Sequence, residues 1–246
     1  MTIIIPMAGL SRRFTEAGFN LPKYMLYVRN KSLFNLAVSS FGSYFKTEKF
    51  IFIARDVYGT KEFIIKECEI LGISSFEIVI LNELTRGQAE TVYLGLMESD
   101  LEDTEPILIF NIDTFRPNFC FPTELNNWDG YLEVFEGDGA NWSYAKTQQT
   151  GSTKVIQTAE KEEISNYCCT GIYYFNMKGS FIEAFQNAII DAVGIKVNEL
   201  YVAPLYNYLI NLNHDIHIKV IGRDEVSFCG IPEEYFDYID KKTKNL

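Results

Sequence analysis

Residues 3–26 read IIIPMAGLSRRFTEAGFNLPKYML. An unbroken apolar run stops at Gly9, two arginines follow, and a Pro-Lys pair closes the segment. A strand that is apolar at successive rather than alternate positions has both faces buried, the pattern of a parallel sheet covered by helices. TIIIPM is read as such a strand. The loop after it is where chemistry is expected. Gly9 lets backbone amides approach a ligand closely, and a helix starting just beyond would add its dipole toward an anion. Arginine brings a fixed fork of donors suited to phosphate oxygens, and lysine a mobile point charge. The spacing is neither that of the G-x-x-x-x-G-K-[ST] phosphate loop nor that of the G-x-G-x-x-G dinucleotide fingerprint. Taken alone, Arg12, Arg13 and Lys23 would also suit a solvated basic loop.

Composition makes that cluster more informative. The chain of 246 residues carries a formal charge of −11, which disfavours nucleic acid as a partner because phosphate neutralisation needs a basic face. Three cations in the first loop run against this trend. The 47% of apolar residues is ordinary for a globular protein, and no apolar stretch approaches the roughly 20 residues of a membrane span. No secretory signal pattern opens the sequence. The five cysteines lack metal-ligand spacing, and an odd number argues against a disulfide framework. Adjacent Cys168 and Cys169 would point to opposite faces of a strand as small buried residues. A cytoplasmic location is expected.

The pattern continues outward from the first strand. SLFNLAVSSFGSYF reads as a helix with Ser32 at its N-cap and Leu33, Leu36, Ala37, Ser40, Phe41 and Tyr44 on one face. KFIFIA is a second strand, and TKEFIIKECEIL a helix with Ile64, Cys68 and Leu71 inward. FEIVIL is a third strand. RGQAETVYLGLM is a helix with Ala89, Val92, Tyr93, Leu96 and Met97 on one side, and PILIFNID a strand with a polar end. In the second half GYLEVF, WSYAKT, KVIQTAEK, CCTGIYYF and DIHIKVIG read as strands, some antiparallel. SFIEAFQNAII, YVAPLYNYLINL and PEEYFDYID read as helices, the last with Pro232 near its first turn. The expected class is α/β: a Rossmann-like three-layer α/β/α arrangement, with a mainly parallel central sheet and a small antiparallel element in the second half. No linker or internal repeat divides residues 1–246, so one domain is expected.

In open α/β sheets the ligand crevice lies beyond the carboxyl ends of the strands. Three polar features fall there: the first loop, TRGQAET, and the aspartate of FNIDTF. Their agreement supports one site. The first loop resembles the signature of the nucleotidyltransferase superfamily, G-x-G-x-R-[LF] followed later by P-K. Gly9, Arg13, Phe14, Pro22 and Lys23 match, while Ser11 stands in place of the second glycine. The resemblance implies transfer of a nucleotidyl group from a nucleoside triphosphate to a phosphorylated small acceptor, with release of pyrophosphate. Arg13 and Lys23 would be the catalytic cations, Arg13 on the leaving phosphates and Lys23 around the reacting centre. Met7, Ala8, Gly9, Ser11 and Arg12 would line the nucleotide site. TRGQAETV is similar to the family's base-recognition segment, where Gly87 and Gln88 would meet a pyrimidine edge; alone, Gln88 would be an exposed helix-start residue. Asn111 would complete the nucleotide site. Asp113 resembles the family's ligand for Mg²⁺, which needs only one or two carboxylates; alone, it would be a turn residue.

AEKEEISNYCCTGIYYF resembles the family segment in which a Glu-Lys pair precedes a Thr-Gly-Ile-Tyr strand. It implies acceptor contacts from Glu160, Lys161, Thr170 and Gly171. ELYVAPLYNYLI is similar to a segment of capsule-locus members and adds Glu199, Tyr201 and Asn207, though its aromatic residues also suit a core. Residues 1–125 would then form the nucleotide half and 126–246 the acceptor half. The whole chain is similar to nucleotidyltransferases of bacterial capsule loci, a group that resembles sugar-1-phosphate nucleotidyltransferases, phosphocholine cytidylyltransferases and a CTP:phosphoglutamine cytidylyltransferase. CTP is the favoured donor; UTP or dTTP with a sugar-1-phosphate is the alternative. DTFRP also resembles a strand end of the methylerythritol-pathway cytidylyltransferase, whose later segments do not fit.

The sequence departs from the sugar-nucleotide pattern at one place. Where such enzymes carry a second metal-binding aspartate before a late Gly-Thr-Pro, SFCGIPEEY has Phe228 and then Ile231. Asp224 and Glu225 lie nearby without a clear match. The two histidines, His214 and His217, are read as surface residues sharing a strand face. Outside this class, a metal-dependent glycosyltransferase would have an Asp-x-Asp where NID has one aspartate, and a non-catalytic nucleotide-binding protein would release no pyrophosphate. Oligomeric state is not legible.

Overall fold

The computed structural model describes residues 1–191 and 199–244. The chain begins with β1 (Thr2–Pro6), the one-turn helix α1 (Arg12–Glu16) and a small hairpin, β2 (Tyr27–Val28) and β3 (Lys31–Ser32). α2 (Leu33–Val38), β4 (Lys49–Ala54), α3 (Thr60–Leu71), β5 (Phe76–Ile80), α4 (Gln88–Glu98) and β6 (Ile107–Phe110) complete the first, alternating part. The second part holds β7 (Thr114–Phe115), β8 (Gly130–Glu136), β9 (Ser143–Thr147), β10 (Val155–Glu160), β11 (Tyr167–Phe175), α5 (Lys178–Asp191), α6 (Tyr206–Asn211), β12 (Ile216–Ile221), β13 (Ser227–Phe228) and α7 (Pro232–Lys244).

The central sheet has nine strands in the order β10-β9-β11-β6-β1-β4-β5, with β8 pairing both β11 and β12. β5, β4, β1 and β6 run parallel, as do β8 and β12, whereas β11 pairs antiparallel with β6 and β8. The antiparallel strands thus continue the same sheet. Two short two-stranded pieces, β7–β13 and β2–β3, stand apart from it.

β1 explains its own sequence. Ile3 and Ile5 point into a core with Phe34 and Val38 of α2 and Ile64 and Cys68 of α3. Ile4 points into the opposite core with Val92 and Leu96 of α4 and Phe181 of α5. Both faces are covered, so every residue of the strand is apolar or small and buried. From β1 the chain moves to β4 and β5 on one side, then returns to β6 on the other. The carboxyl ends of β1 and β6 therefore mark a topological switch point, where the flanking connections diverge and leave a crevice.

Three local expectations are corrected. The helix read over residues 32–45 is α2 followed by a 3-10 segment, Ser39–Tyr44, with Phe41 at φ −100°, ψ 23°. Ser32 does cap it, accepting a bond from the Asn35 amide at 2.9 Å, but Phe34 and Val38 of α2 also face the core, and Leu36 and Tyr44 are only half-buried. Met97 is exposed beyond the edge of the apolar stripe of α4. His214 and His217 are not a surface pair on one face: His214 precedes β12, and side chains alternate along a strand. His217 stacks on Trp128 at 4.7 Å and bonds Thr153 Oγ1 at 2.8 Å.

Candidate functional site

A cleft of about 870 Å³ opens at the switch point, lined by the segments after β1 and β6, the start of α4, and parts of β10 and β11. Met7 still bonds β4 through its amide (to Ile53 O, 2.8 Å), and Ala8 is buried beside it; Gly9 and Leu10 are exposed. Ser11, where the family signature has glycine, keeps a left-handed backbone with φ 51° and ψ 34°. Such a backbone costs a non-glycine residue on the order of 1–2 kcal/mol. The side chain offsets part of this, since Ser11 Oγ accepts from the Lys23 amide at 3.2 Å and ties the two ends of the loop together. Phe14 anchors the loop from below, 1% exposed, edge-on to Phe19 and Tyr235. The expected contribution of a helix dipole is small, because α1 is only one turn long. Arg12 and Arg13 are exposed at the cleft wall, and neither has an ion-pair partner among the described residues.

The loop after β6 supplies the opposite charge. Lys23 Nζ lies 2.5 Å from Asp113 Oδ2, with the Asp113 carbonyl accepting from the Cys229 amide at 2.8 Å. Asn111, two residues earlier, accepts a bond from the Gln88 side-chain amide, so these two candidate nucleotide residues are brought into direct contact. Gly171 explains why Asn111 sits there. It has φ +96°, its carbonyl accepts from the Asn111 amide at 3.1 Å, and a Cβ would lie 2.6 Å from Asn111 Nδ2. Gly87 (φ +136°) has the same kind of constraint, with a Cβ there 2.5 Å from Leu200 O. The backbone of Leu200 bonds Arg86 O and the Ala89 amide, which carries Glu199 and Tyr201 into the cleft from a distant part of the chain.

At the other end, Glu160 bonds Ser143 across the β9–β10 pair. Burial pushes its carboxyl above the usual range, although the Ser143 bond works against this. Lys161 sits 4.6 Å over the Tyr201 ring and 3.8 Å from Glu199, while the Tyr201 hydroxyl donates to Glu199. Burial and the Glu199 carboxylate push the Tyr201 hydroxyl well above its ordinary pKa. Two candidates have their polar atoms engaged within the protein, Thr170 while lining the cleft and Asn207 away from it. The Thr170 hydroxyl bonds Glu133 Oε1 at 3.2 Å, within a buried ion pair to Arg116 (3.1 Å). Asn207 clamps the Thr158 backbone at both ends of its amide and does not line the cleft.

Several lining residues carry no motif in the sequence, among them Asp138, Asn141, Trp142 and Glu234. The Ser143–Glu160 contact alone was accessible in principle, from the register of two neighbouring strands. Phe228 packs against Trp142 at 4.7 Å and Phe135 at 5.7 Å, so the position aligned with a second metal aspartate is an aromatic wall. Glu225 is bonded to Arg116 at 3.2 Å, and Glu234 accepts from the amides of Gly230 and Ile231 at the start of α7. Among the described residues no group of three or more His, Cys, Asp or Glu side chains is placed to hold a metal. At the base of the cleft Asp113 and Glu234 flank Gly230; with Glu234 taken up by the two amides, Asp113 fits a hard cation that takes its other ligands from phosphates and water.

The fold and this cleft can be set beside known proteins. The crystal structure of the nucleoside-diphosphate-sugar pyrophosphorylase from Vibrio cholerae is 50% identical, with 97% of this chain and 99% of that one covered at a TM-score of 0.93. The chain is a nucleotidyltransferase of the sugar-nucleotide pyrophosphorylase family. This nucleotidyltransferase also matches the 2-C-methyl-D-erythritol 4-phosphate cytidylyltransferase of Petrotoga mobilis, at 24% identity over 75% of this chain and 76% of the relative. The inositol-1-phosphate CTP transferase from T. maritima shares its fold at a TM-score of 0.74, with 13% identity over 98% of this chain and 95% of that one. No family model matches the sequence. Family membership sets aside the glycosyltransferase and the non-catalytic binding protein as readings of the first loop. No helix among the described residues of the nucleotidyltransferase is long and apolar enough to cross a membrane.

Proposed function

We propose that this nucleotidyltransferase transfers a cytidylyl group from CTP, in the presence of Mg²⁺, to a small phosphorylated acceptor and releases pyrophosphate. The observation that carries this reading is the convergence, at one switch point, of three cations (Arg12, Arg13, Lys23) with Asp113, the carboxylate that Lys23 contacts. A phosphate oxygen of the acceptor attacks the α-phosphorus in line; the bond from that phosphorus to the bridging oxygen breaks, and pyrophosphate departs with the electron pair. No protein nucleophile is required, so positioning and charge neutralisation supply the catalysis. Arg13 and Lys23 stabilise charge on the leaving group. Gln88 and Asn111 hold the base, and Glu160, Lys161, Gly171 and Glu199 bound the acceptor side. Asp113 would hold Mg²⁺, which neutralises the phosphate oxygens when bound.

The preference for CTP is supported by two relatives whose names specify cytidylyl transfer or CTP. Phosphoglutamine and phosphocholine are the acceptors we favour, within synthesis of a capsule or other surface polysaccharide. A second reading is UTP or dTTP with a sugar-1-phosphate, its sugar acceptor favoured by the name of the 50% identical relative. Pyrophosphate release separates them when CTP, UTP and dTTP are crossed with phosphoglutamine, phosphocholine and sugar-1-phosphates, with Mg²⁺ and with EDTA. Release confined to CTP with an amine- or amide-bearing phosphate supports the first reading. Release with UTP or dTTP and a sugar-1-phosphate replaces it with the second, and release undiminished by EDTA removes the metal.

A further inference from the structure

The contact at the base of the cleft joins two groups that the proposed reaction needs apart. Lys23 Nζ and Asp113 Oδ2 are 2.5 Å from one another, with side chains 20% and 26% exposed. The ammonium assigned to phosphate and the carboxylate assigned to the metal neutralise each other there, and a partly buried pair is screened only weakly by salt. A divalent cation arriving alone would displace the ammonium from Asp113 and leave it beside a like charge, the neighbouring Glu234 carboxylate being already bonded to the Gly230 and Ile231 amides. A triphosphate changes that balance by offering Lys23 its own oxygens. Arg12 and Arg13, unpaired among the described residues, can receive the triphosphate without first giving up a contact.

We propose that the Lys23–Asp113 ion pair couples metal uptake to nucleotide uptake: Asp113 takes a divalent cation only when a nucleoside triphosphate draws Lys23 away. The inference rests on the metal-dependent reading above and adds a thermodynamic order to it. Because coupling is reciprocal, the cation raises nucleotide affinity by the factor that the nucleotide raises cation affinity.

The test is Mn²⁺ binding to the full chain by water-proton relaxation, first alone and then with CTP or UTP, no acceptor being present. The wild type should bind Mn²⁺ weakly alone and, with nucleotide, more tightly than the nucleotide does in solution. Lys23→Met should bind Mn²⁺ alone more tightly by roughly ten-fold or more, and Lys23→Gln provides the same comparison if the methionine variant does not fold. Lys23→Arg, which keeps the cation, should resemble the wild type. So should Arg13→Met, which removes the same charge from the same cleft without touching Asp113. Equal Mn²⁺ affinity in the wild type and Lys23→Met overturns the coupling, as does an equal gain in Arg13→Met. Mn²⁺ held no more tightly by protein and nucleotide together than by the nucleotide in solution overturns the metal-dependent reading itself, and the coupling with it.

Discussion

Replacing Gly171 with alanine places a methyl group 2.6 Å from Asn111 Nδ2, 2.7 Å from its Cγ and 2.9 Å from its Cβ, on a backbone at φ +96°. The two costs are separable. Holding an L-residue in that backbone region costs about 1–2 kcal/mol, and forcing a side chain into a filled space about 1–3 kcal/mol. Together they predict a loss of about 2–5 kcal/mol, read as a lower urea midpoint. The same methyl pushes away the acceptor of the Gln88 amide, so nucleotide affinity should fall along with stability. Adding Asn111→Ala to Gly171→Ala relieves the two nearest contacts but not the backbone strain. The double-mutant cycle should therefore show a favourable coupling of about 1–3 kcal/mol. A Gly171→Ala protein with an unshifted midpoint, or a cycle with no coupling, would refute the argument that Gly171 is fixed by Asn111.

Three further outcomes are expected. Arg13→Ala should fold normally, since Arg13 is exposed, and lose on the order of 10²–10³ in pyrophosphate release under saturating substrates; wild-type turnover would remove Arg13 from the stabilisation of the leaving group. Arg116→Met leaves Glu133, 3% exposed at its side chain, without its cation and should cost about 3–5 kcal/mol of unfolding free energy. The Glu160 carboxyl is raised in the folded state by burial, so the folded chain binds that proton more readily than the unfolded chain. Its contribution to stability falls as pH rises from the usual 4.5 through the raised folded value. Glu160→Gln should flatten that part of a pH profile of unfolding, and an unchanged slope would count against the burial argument.

Much of the fold could be read from patterning, and the reason is visible in β1. A strand covered on both faces admits only apolar residues, and Ile3, Ile4 and Ile5 divide between two cores accordingly. Helix 32–45 was less legible because periodicity does not reveal where a helix tightens into 3-10 geometry at Ser39. The first loop, the start of α4 and the end of β6 were legible as site elements since each polar group interrupts an apolar strand or opens a helix. Trp142 and Asp138 were not, as they lie in an irregular segment brought to the cleft by tertiary packing alone. The fate of Asn207 was also hidden: its amide satisfies a strand backbone, and no local signal separates that task from ligand contact. Thr170 shows the same ambiguity, with its hydroxyl committed to Glu133.

The departure at Phe228 bears on how the site balances charge. β13 pairs with β7 so that Phe228 faces Thr114, one residue beyond Asp113. An aspartate there would have stood near the first and required a further cation between them. Phe228 instead closes an aromatic cluster with Trp142 and Phe135, with the Arg223 guanidinium 5.1 Å over its ring. That arrangement removes one negative charge from the approach of a triphosphate to a chain of net charge −11. On the proposed reading, Arg12, Arg13 and Lys23 supply from the first loop the positive charge that a second carboxylate-bound cation would otherwise bring. The loop must then be both cationic and fixed in shape. Ser11 meets the second demand, holding a backbone suited to glycine while its hydroxyl ties the loop to Lys23.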